Sequence, residues 1–288
     1  MVNATNATAF AADVGFEFSD ADFERIRQLI YRHAGIALSD NKRQLAYSRV
    51  GRRLRARGLT RFADYLDIVE AGDAAEMEAF TNALTTNLTA FFREAHHFPI
   101  LAEHARRIGA RREVTLWCAA CSTGEEPYSM AMTLVETLGT NPPARILASD
   151  VDTNVLAKAQ RGVYPLAALE KVPEQQARKF FLKGTGAKDG AVRVRPELQA
   201  LITYRQINLL HDRWPVRGPF DAIFCRNVMI YFDKATQRRI LERFAPLLAP
   251  DGLLFAGHSE NFHHAADLFR PRGKTVYQPA GARKPAHA

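Results

Sequence analysis

The sequence predicts an α/β fold in which a mostly parallel sheet follows an all-helical N-terminal domain and is interrupted by a small antiparallel β insertion. Three observations predict it. Apolar residues recur at helical spacing through residues 18–84, buried-type strands and helices alternate after residue 113, and a glycine-punctuated stretch at residues 180–194 breaks that alternation. With 288 residues and 47% hydrophobic content, the chain can bury a core in one large or two modest domains.

The two ends and the net charge limit the remaining possibilities. Residues 1–17 are rich in Ala, Asn and Thr and are predicted to be a disordered lead, and residues 281–288 form a basic tail. There is no signal-peptide pattern and no apolar run of about 18 residues, so we expect a cytoplasmic protein without membrane insertion. The formal net charge of +8 favours an acidic partner.

The helical domain is predicted to span residues 18–84. N-cap candidates and an acidic first turn open it, Asp40 can cap a second helix, and residues 62–71 and 74–84 supply two more helices. Residues 85–94 are polar and then aromatic, and we predict that they form an ordered linker.

One helix of this domain is strongly basic. Residues 42–61 carry eight basic side chains and no acidic one. A helical wheel places an apolar side of this helix against the core. Arg49, Arg52 and Arg53 lie on the neighbouring side, and Arg55 lies further around the helix. A solvated face is the ordinary interpretation, but most surface helices intersperse acids and bases, so we favour a docking site for an acidic surface. Nucleic acid competes as the partner; the few aromatic residues argue against single-strand stacking but not against phosphate contact.

The rest of the chain is organised around residues 114–127. They are predicted to form a buried strand, a turn of small residues and the start of a helix that runs to about residue 138. In an α/β sheet such a turn lies at the carboxyl edge, where ligands bind. The glycine patterns of phosphate-binding loops are absent, so we expect no phosphate cradle there. Glu126 either stabilises the helix dipole or faces a cationic ligand, and the sequence leaves both interpretations open.

Asp150 ends the next predicted strand, residues 145–150. In nucleotide-binding α/β folds, an acid at the tip of the second strand meets ribose hydroxyls. The competing interpretation is a helix N-cap, but Asp152 or Thr153 is better placed to cap the following helix. We therefore favour ribose binding by Asp150.

Cys118 and Cys121 form a C-x-x-C pair on the predicted turn. A thioredoxin-like centre or half of a zinc site is one interpretation, but no second C-x-x-C follows. We therefore expect small buried thiols beside a ligand loop, and no metal site.

Later stretches complete the α/β pattern. Apolar and basic residues alternate in the insertion, and we predict a β subdomain at about residues 178–198 with Arg193 and Arg195 on one exposed face. Three further strands and a helix capped by Asp233 resume the sheet. The α/β domain as a whole is predicted to span residues 95–280.

Five motifs, taken in chain order, resemble those of the CheR family, which are class I S-adenosylmethionine methyltransferases that methylate glutamates on bacterial chemotaxis receptors. The motifs are residues 85–94, 122–129, 148–150, 226–232 and 257–260, and the resemblance runs from about residue 20 to residue 277. It implies the Rossmann-like sheet of that class, S-adenosyl-L-methionine as the cofactor and S-adenosyl-L-homocysteine as the product.

The resemblance also implies the cofactor-binding residues, which are Asn87, Thr89, Arg93, Glu126, Asp150, Asn208, Leu209, Arg226 and Asn227. Asp150 would hold the ribose. Residues near Arg93 and Glu126 would hold the methionine portion, and Asn208 with Leu209 would meet the adenine edge.

Further implications concern methyl transfer and the partner. Tyr231 matches a tyrosine near the transferred methyl; as a hypothesis, Arg93 orients a carboxylate and Tyr231 guides the methyl group, so these two are the candidate catalytic residues. The partner would be the cytoplasmic helical region of methyl-accepting receptors, and some family members also bind a receptor C-terminal pentapeptide. The receptor-binding candidates are Arg49, Arg52, Arg53, Arg55, Arg193 and Arg195. We expect a monomer that binds no nucleic acid.

The chemistry of glutamate methylation suits these residues. A glutamate carboxylate is ionised at neutral pH and needs no general base. Holding it in line with a sulfonium methyl can supply on the order of 7 to 11 kcal/mol. One rival is a nucleic-acid N-methyltransferase, suggested by the charge and by residues 227–231, which resemble an N-P-P-Y motif without its prolines. The other is a regulatory module that binds S-adenosylmethionine without turnover.

Overall fold

A computed structural model describes residues 15–281 of the chain. Within that range the chain forms a helical domain, a mixed sheet covered by helices and a small antiparallel sheet, which confirms the predicted fold class. The helices are α1 (Asp20–Ala34), α2 (Arg43–Arg57), α3 (Phe62–Glu70), α4 (Ala74–Leu84), α5 (His97–Gly109), α6 (Glu125–Leu138), α7 (Thr153–Arg161), α8 (Glu174–Phe180), α9 (Pro196–Gln199) and α10 (Lys234–Phe244). None of the helices in this range has the length and apolar content that a membrane crossing requires.

The strands are β1 (Val114–Cys118), β2 (Ala144–Asp150), β3 (Val163–Pro165), β4 (Phe181–Lys183), β5 (Ala191–Val194), β6 (Ile202–Gln206), β7 (Phe220–Phe224), β8 (Leu248–Phe255), β9 (Phe269–Gly273) and β10 (Val276–Pro279). Seven of them form the main sheet in the order β6-β2-β1-β7-β8-β10-β9. The first five are parallel, and β10 pairs antiparallel with β8 and β9. Strand order reverses around β1, which lies between β2 and β7. The crevice beyond the carboxyl ends of these strands is therefore the switch point where open α/β sheets bind ligands.

β1 is the centre of the core because it is buried on both faces. Leu116, Trp117 and Cys118 are each 0% exposed. Leu116 and Cys118 pack into one apolar cluster with α5 and α6, and Trp117 packs into another with α10. Successive strand side chains point to opposite faces, so the continuous apolar run in the sequence is what a central parallel strand requires.

The helices α1 to α4 enclose a core of their own. Ser19 caps α1 through a reciprocal capping box, as its position before the acidic turn indicates. The predicted cap of the second helix is wrong. Asp40 lies inside a 3-10 turn, Asp40–Lys42, whose N-cap is Ser39, and this extra turn delays the start of α2.

The predicted lead is too long at its C-terminal end. Phe16 is half-buried: its ring meets that of Phe62 edge-on at a centroid distance of 6.1 Å, and its N–H donates to the hydroxyl of Tyr47 at 3.0 Å. The two phenylalanines of residues 1–17, Phe10 and Phe16, show no helix or strand periodicity, so the sequence pattern does not indicate this packing. Residues 1–14 of the lead and 282–288 of the tail lie outside the described residues.

The small sheet has the strand order β3-β5-β4 and is antiparallel. β4 and β5 lie within the predicted subdomain at residues 178–198, but β3 comes before it, so the predicted boundary is wrong. α7 ends at Gly162, which has a left-handed φ of +60°, and the chain turns directly into β3. A strand of three residues is too short to give a period-two pattern.

Candidate active site

A cavity lies between the helical domain and the carboxyl edge of the parallel strands. Ala34, Leu38 and Lys42 line it from the helical domain. Every residue that the sequence analysis assigns to the cofactor or to methyl transfer also lines it: Asn87, Thr89, Arg93, Glu126, Asp150, Asn208, Leu209, Arg226, Asn227 and Tyr231. These residues come from the linker, from α6 and from the loops after β2, β6 and β7, so the fold brings distant parts of the sequence to one place.

The turn between β1 and α6 brings backbone close to the cavity. Ser122 has a φ of +48° and Gly124 a φ of +100°. A Cβ at Gly124 would meet Cβ of Ala159 and Oη of Tyr164, each at 2.8 Å. Both the backbone angle and the close approach of α7 therefore require glycine at this position.

Asp150 lies at the tip of β2 with its carboxylate at the turn. The Ser122 N–H donates to Oδ2 at 2.8 Å, and the Asp152 N–H donates to Oδ1 at 3.1 Å. Burial raises the pKa of Asp150 to about 6, because these bonds replace only part of the lost hydration. The helix cap is Asp152, whose Oδ1 accepts the N–H of Asn154 at 2.9 Å. The N-cap interpretation of Asp150 is thus excluded, and its carboxylate lines the cavity.

Glu126 and Arg226 form a buried ion pair in the cavity wall. Nη1 of Arg226 donates to Oε2 of Glu126 at 2.7 Å, and the two side chains are 1% and 11% exposed. The thiol of Cys118 donates to Oε1 of the same carboxylate at 3.2 Å. Glu126 does lie in the first turn of α6. However, its main partner is a guanidinium from the loop after β7, so stabilising the helix dipole is not its only role.

The linker is held to the catalytic domain by side-chain bonds. Within the linker, Nη1 of Arg93 donates to the carbonyl of Leu88 at 2.6 Å. Oγ1 of Thr85 and Nδ2 of Asn87 both donate to Oδ2 of Asp152, at 2.8 and 2.9 Å. The residues that line the cavity from this side therefore lie on backbone that is held by side-chain bonds.

Glu94 is a site residue to which the sequence analysis gave no role. Its carboxylate lies 3.3 Å from Nη2 of Arg226 and accepts Nδ2 of Asn227 at 3.2 Å and the N–H of His258 at 3.2 Å. Burial opposes ionisation, but the hydrogen bonds from His258 and Asn227 and the charge of Arg226 lower the pKa of Glu94 to about 2. These contacts join residues far apart in the chain, and no local pattern marks them.

Glu260 is the second site residue without a predicted role. Oε2 accepts the N–H groups of Asn227 at 3.0 Å and Gly257 at 2.5 Å, and Oε1 accepts the N–H of Met229 at 2.7 Å. Burial raises its pKa. Asn227 has a φ of +58°, and a Cβ on Gly257 would overlap the Asn227 side chain. The carboxylate thus shapes the loop that carries Asn227 into the cavity.

The arginines of α2 do not form one free face. Nε and Nη2 of Arg53 donate to the buried carboxylate of Glu76 at 3.0 and 3.1 Å. Nη1 of Arg49 donates to the carbonyls of Ala83 and Thr85 at the end of α4. The missing acidic partners are supplied by other helices, which a search within one helix does not find. Arg49 and Arg53 therefore bind within the molecule.

The other receptor-binding candidates differ in exposure. Arg52, Arg55 and Arg193 are exposed, and the guanidinium of Arg55 lies 5.1 Å from the ring centroid of Phe16. Arg195 is half-buried at the turn from β5 into α9. A shared exposed arginine face on the small sheet is therefore not formed as predicted.

The cysteines are buried and free, which confirms the interpretation of small buried thiols: Cys118, Cys121 and Cys225. Burial raises the pKa of each thiol well above its usual value, so none is poised as a thiolate.

One histidine cluster near the site has ligand-type atoms close together. Glu94, His96 and His97 bring such atoms within 4.8 Å of one another. The guanidinium of Arg226 lies 3.3 Å from the same carboxylate, and burial first, then this charge, lowers the pKa of His97 to about 4. A neighbouring fixed cation disfavours a metal ion, so we assign no metal site to this cluster.

Comparison with known proteins identifies both domains. Residues 21–85 match the family model described as "CheR methyltransferase, all-alpha domain", and residues 87–278 match "CheR methyltransferase, SAM binding domain". The "Chemotaxis protein methyltransferase" of Escherichia coli K12 is 58% identical over 261 residues, which is 90% of this chain and 91% of that protein. "Chemotaxis protein methyltransferase 2" of Pseudomonas aeruginosa is 55% identical over 267 residues, covering 92% and 95%.

Likeness to solved structures is looser. PKMT2 from Rickettsia typhi in complex with AdoHcy shares 15% identity at a TM-score of 0.34, covering 60% of this chain and 26% of that chain, and has no bearing on function here. The domain matches and the high identity over nearly the whole length do decide the family. The chain belongs to the CheR family of class I S-adenosylmethionine methyltransferases.

Proposed function

We propose that this protein transfers the methyl group of S-adenosylmethionine to glutamate side-chain carboxylates of bacterial chemotaxis receptors, giving glutamyl methyl esters and S-adenosylhomocysteine. The observation that carries the proposal is the cavity at the switch point of the sheet, which is lined by every residue that the family resemblance assigns to the cofactor and to methyl transfer. Relatives named chemotaxis protein methyltransferases, aligned over nearly their whole length, support the same biological setting.

The wall of the cavity fits a sulfonium nucleoside. Asp150 is a buried carboxylate with a raised pKa, so hydroxyl donors such as those of a ribose would stabilise its ionised form. Glu126 presents a carboxylate to which an amino group can donate, and Arg226 balances its charge. The bound cofactor would supply an electrophilic methyl group; Arg93 and Tyr231 would position the carboxylate that attacks it.

The lining favours a carboxylate over an amine as the methyl acceptor. Among the described residues that line the cavity there is no histidine or cysteine, the side chains that most often take a proton at neutral pH. An alkylamine such as that of lysine arrives protonated and needs a base, and the neutral exocyclic amine of a nucleobase needs its lone pair presented by a motif such as N-P-P-Y, whose prolines are absent here; a glutamate arrives ionised. This argues against the N-methyltransferase alternative.

We further propose that the receptor is contacted through Arg52, Arg55 and Arg193, which are exposed, and not through Arg49 and Arg53. The small antiparallel sheet is the proposed site for a receptor C-terminal pentapeptide. The enzyme would act as a monomer in the cytoplasm, where the helical region of the receptor is accessible.

The test is methyl transfer from labelled S-adenosylmethionine to receptor-containing membranes, followed by mild base. Volatile labelled methanol from wild type, and its loss with Arg93→Ala, is the expected result. Arg145→Ala is a matched control, because this arginine is 69% exposed, pairs with Glu113 and lies near the start of β2, at the edge of the sheet opposite the cavity. Base-stable label would mean N-methylation, and absence of label with intact cofactor binding would mean a silent module; either result would overturn the proposal.

A further inference from the structure

Two of the most exposed large apolar side chains in the described residues belong to the two segments that line the cavity, the linker and the loop after β7. Leu88 is 77% exposed and lines the cavity from the linker. Ile230 is 49% exposed and lies in the 3-10 turn Met229–Tyr231, directly before Tyr231, which also lines the cavity. Exposed apolar residues that cluster around a site mark a binding surface more often than scattered ones do.

Both side chains lie on backbone that is firmly bonded. The carbonyl of Leu88 accepts Nη1 of Arg93 at 2.6 Å. On the other side, the N–H of Met229 donates to Glu260 at 2.7 Å, and Nε2 of Gln237 donates to the Met229 carbonyl at 2.9 Å. The exposure of Leu88 and Ile230 is therefore a property of fixed structure and does not come from a loosely held loop.

A cation completes the surroundings of the cavity mouth. Lys42 lies at the end of the 3-10 turn before α2, is exposed and lines the cavity. Within residues 15–281 its ammonium group makes no ion pair with a carboxylate, in contrast to the next residue, Arg43, which pairs with Asp20 at 2.8 Å. An uncompensated positive charge at the mouth attracts an anionic ligand.

We propose that Lys42, Leu88 and Ile230 form a rim that seats the substrate helix of the receptor next to the target glutamate. The inference rests on the proposed function and adds where the substrate docks. On a helix, residues three and four positions from the target share its face, so apolar residues there would pack on Leu88 and Ile230. A further carboxylate on that face would meet Lys42. The rim thus selects glutamates that have apolar neighbours on the same helix face.

The test uses a soluble receptor fragment that contains the methylated helices and lacks the C-terminal tail, so that the small sheet does not contribute. With Leu88→Ser and with Ile230→Ser, KM for the fragment should rise about tenfold, as expected for losing most of one buried aliphatic contact. The turnover number at saturating fragment, the Kd for S-adenosylmethionine and the melting temperature should stay at wild-type values. Leu166→Ser is the matched control: this leucine is 45% exposed and lies in the 3-10 turn Leu166–Leu169, outside the strands of the small sheet.

Lys42→Gln gives an independent measurement on the same rim. It should raise KM for the fragment about threefold at low salt, and the difference should disappear at high salt because the charge attraction is screened. Wild-type KM values for Leu88→Ser and Ile230→Ser would overturn the rim while the proposed function stands. A weakened Kd for S-adenosylmethionine would assign these side chains to the cofactor and would also overturn it. If wild type itself forms no base-labile ester, it is the proposed function that fails.

Discussion

Replacing Arg53 with alanine should destabilise the helical domain, whereas the same change at its neighbour Arg52 should not. Glu76 is 2% exposed, and its carboxylate takes two bonds from Arg53 and one from the hydroxyl of Tyr65 at 2.7 Å. Without Arg53, the nearest cation is Arg57, whose Nε lies 3.6 Å away. Arg52 is exposed on the same helix, so Arg52→Ala and Arg53→Ala differ mainly in whether a guanidinium that binds a buried carboxylate is removed.

The magnitude follows from the burial of the pair. Breaking a buried ion pair costs about 3–5 kcal/mol, and we expect about 2–3 kcal/mol here because Arg53 is 29% exposed and Arg57 lies close by. At about 2–4 °C per kcal/mol, the melting temperature should fall by about 5–10 °C. Arg52→Ala should change the free energy of unfolding by less than about 0.5 kcal/mol.

The pH dependence gives a check on the cause. Burial alone would raise the pKa of Glu76, but the bonds from Arg53 and Tyr65 hold it below its usual 4.5. A depressed carboxyl pKa contributes stability that is present above pH 4.5 and is lost as the pH falls through the folded-state pKa. The gap in stability between wild type and Arg53→Ala should therefore shrink in acid.

The assay is urea and thermal unfolding followed by far-ultraviolet circular dichroism, run in parallel with receptor methylation. Arg53→Ala should lose stability, and Arg52→Ala should keep stability but show a higher receptor KM. If Arg53→Ala is as stable as wild type and loses only receptor affinity, then Glu76 does not depend on this guanidinium and the structural role of Arg53 is refuted.

Three further predictions concern the cavity wall. Because the pKa of Asp150 is raised to about 6, the cofactor-free protein should have extra stability below about pH 4 and lose it as the pH rises through 6, while its affinity for the cofactor rises over the same range. Asp150→Asn should flatten the pH dependence of stability, measured by unfolding, and of cofactor affinity, measured by calorimetry. Unchanged pH dependence in the variant would exclude this carboxylate as the source. Gly124→Ala should cost at least about 2 kcal/mol, against about 1 kcal/mol for Gly58→Ala. Gly58 also has a left-handed backbone, with a φ of +66°, but an added Cβ there would meet nothing within 4 Å; equal losses would mean that only the backbone angle matters. Glu94→Gln should weaken S-adenosylmethionine binding about tenfold by calorimetry, because the guanidinium of Arg226 loses a charged neighbour at 3.3 Å; wild-type affinity would limit Glu94 to shaping the linker.

The parts of the fold and site that the sequence predicts are those set by local patterns. The apolar run of β1, the small residues after it and the acidic start of α6 lie next to one another, and each is a one-dimensional signal. The role of Asp152 as the cap of α7 follows in the same way from its place before the helix. The family motifs predict which residues line the cavity, because each motif lies in the linker or at the carboxyl end of a strand and these segments meet at one edge of the sheet.

The parts that the sequence did not predict depend on contacts between distant residues. Arg53 looked like a free cation because its partner, Glu76, is on another helix. Glu94 and Glu260 both accept hydrogen bonds from Asn227, which lies on a loop far from Glu94 in the sequence and has a left-handed backbone. No spacing of residues in the sequence reveals these bonds. β3 is too short for periodicity and is a strand only because β5 pairs with it.

The same bonds that form the cofactor wall also hold the helical domain in place. Arg226 donates to Glu126 on α6 and to the carbonyl of Arg93 on the linker, at 2.7 and 2.5 Å. Further along the same loop, the carbonyl of Tyr231 accepts the N–H of Ala37 from the helical domain at 3.1 Å. A shift of the helical domain would thus move the loop that carries Tyr231 and Arg226. If the receptor docks on α2 as proposed, docking there and cofactor binding are connected through these contacts. A change in cofactor affinity in a variant of an exposed α2 arginine such as Arg52 would then report this connection and would not by itself indicate misfolding.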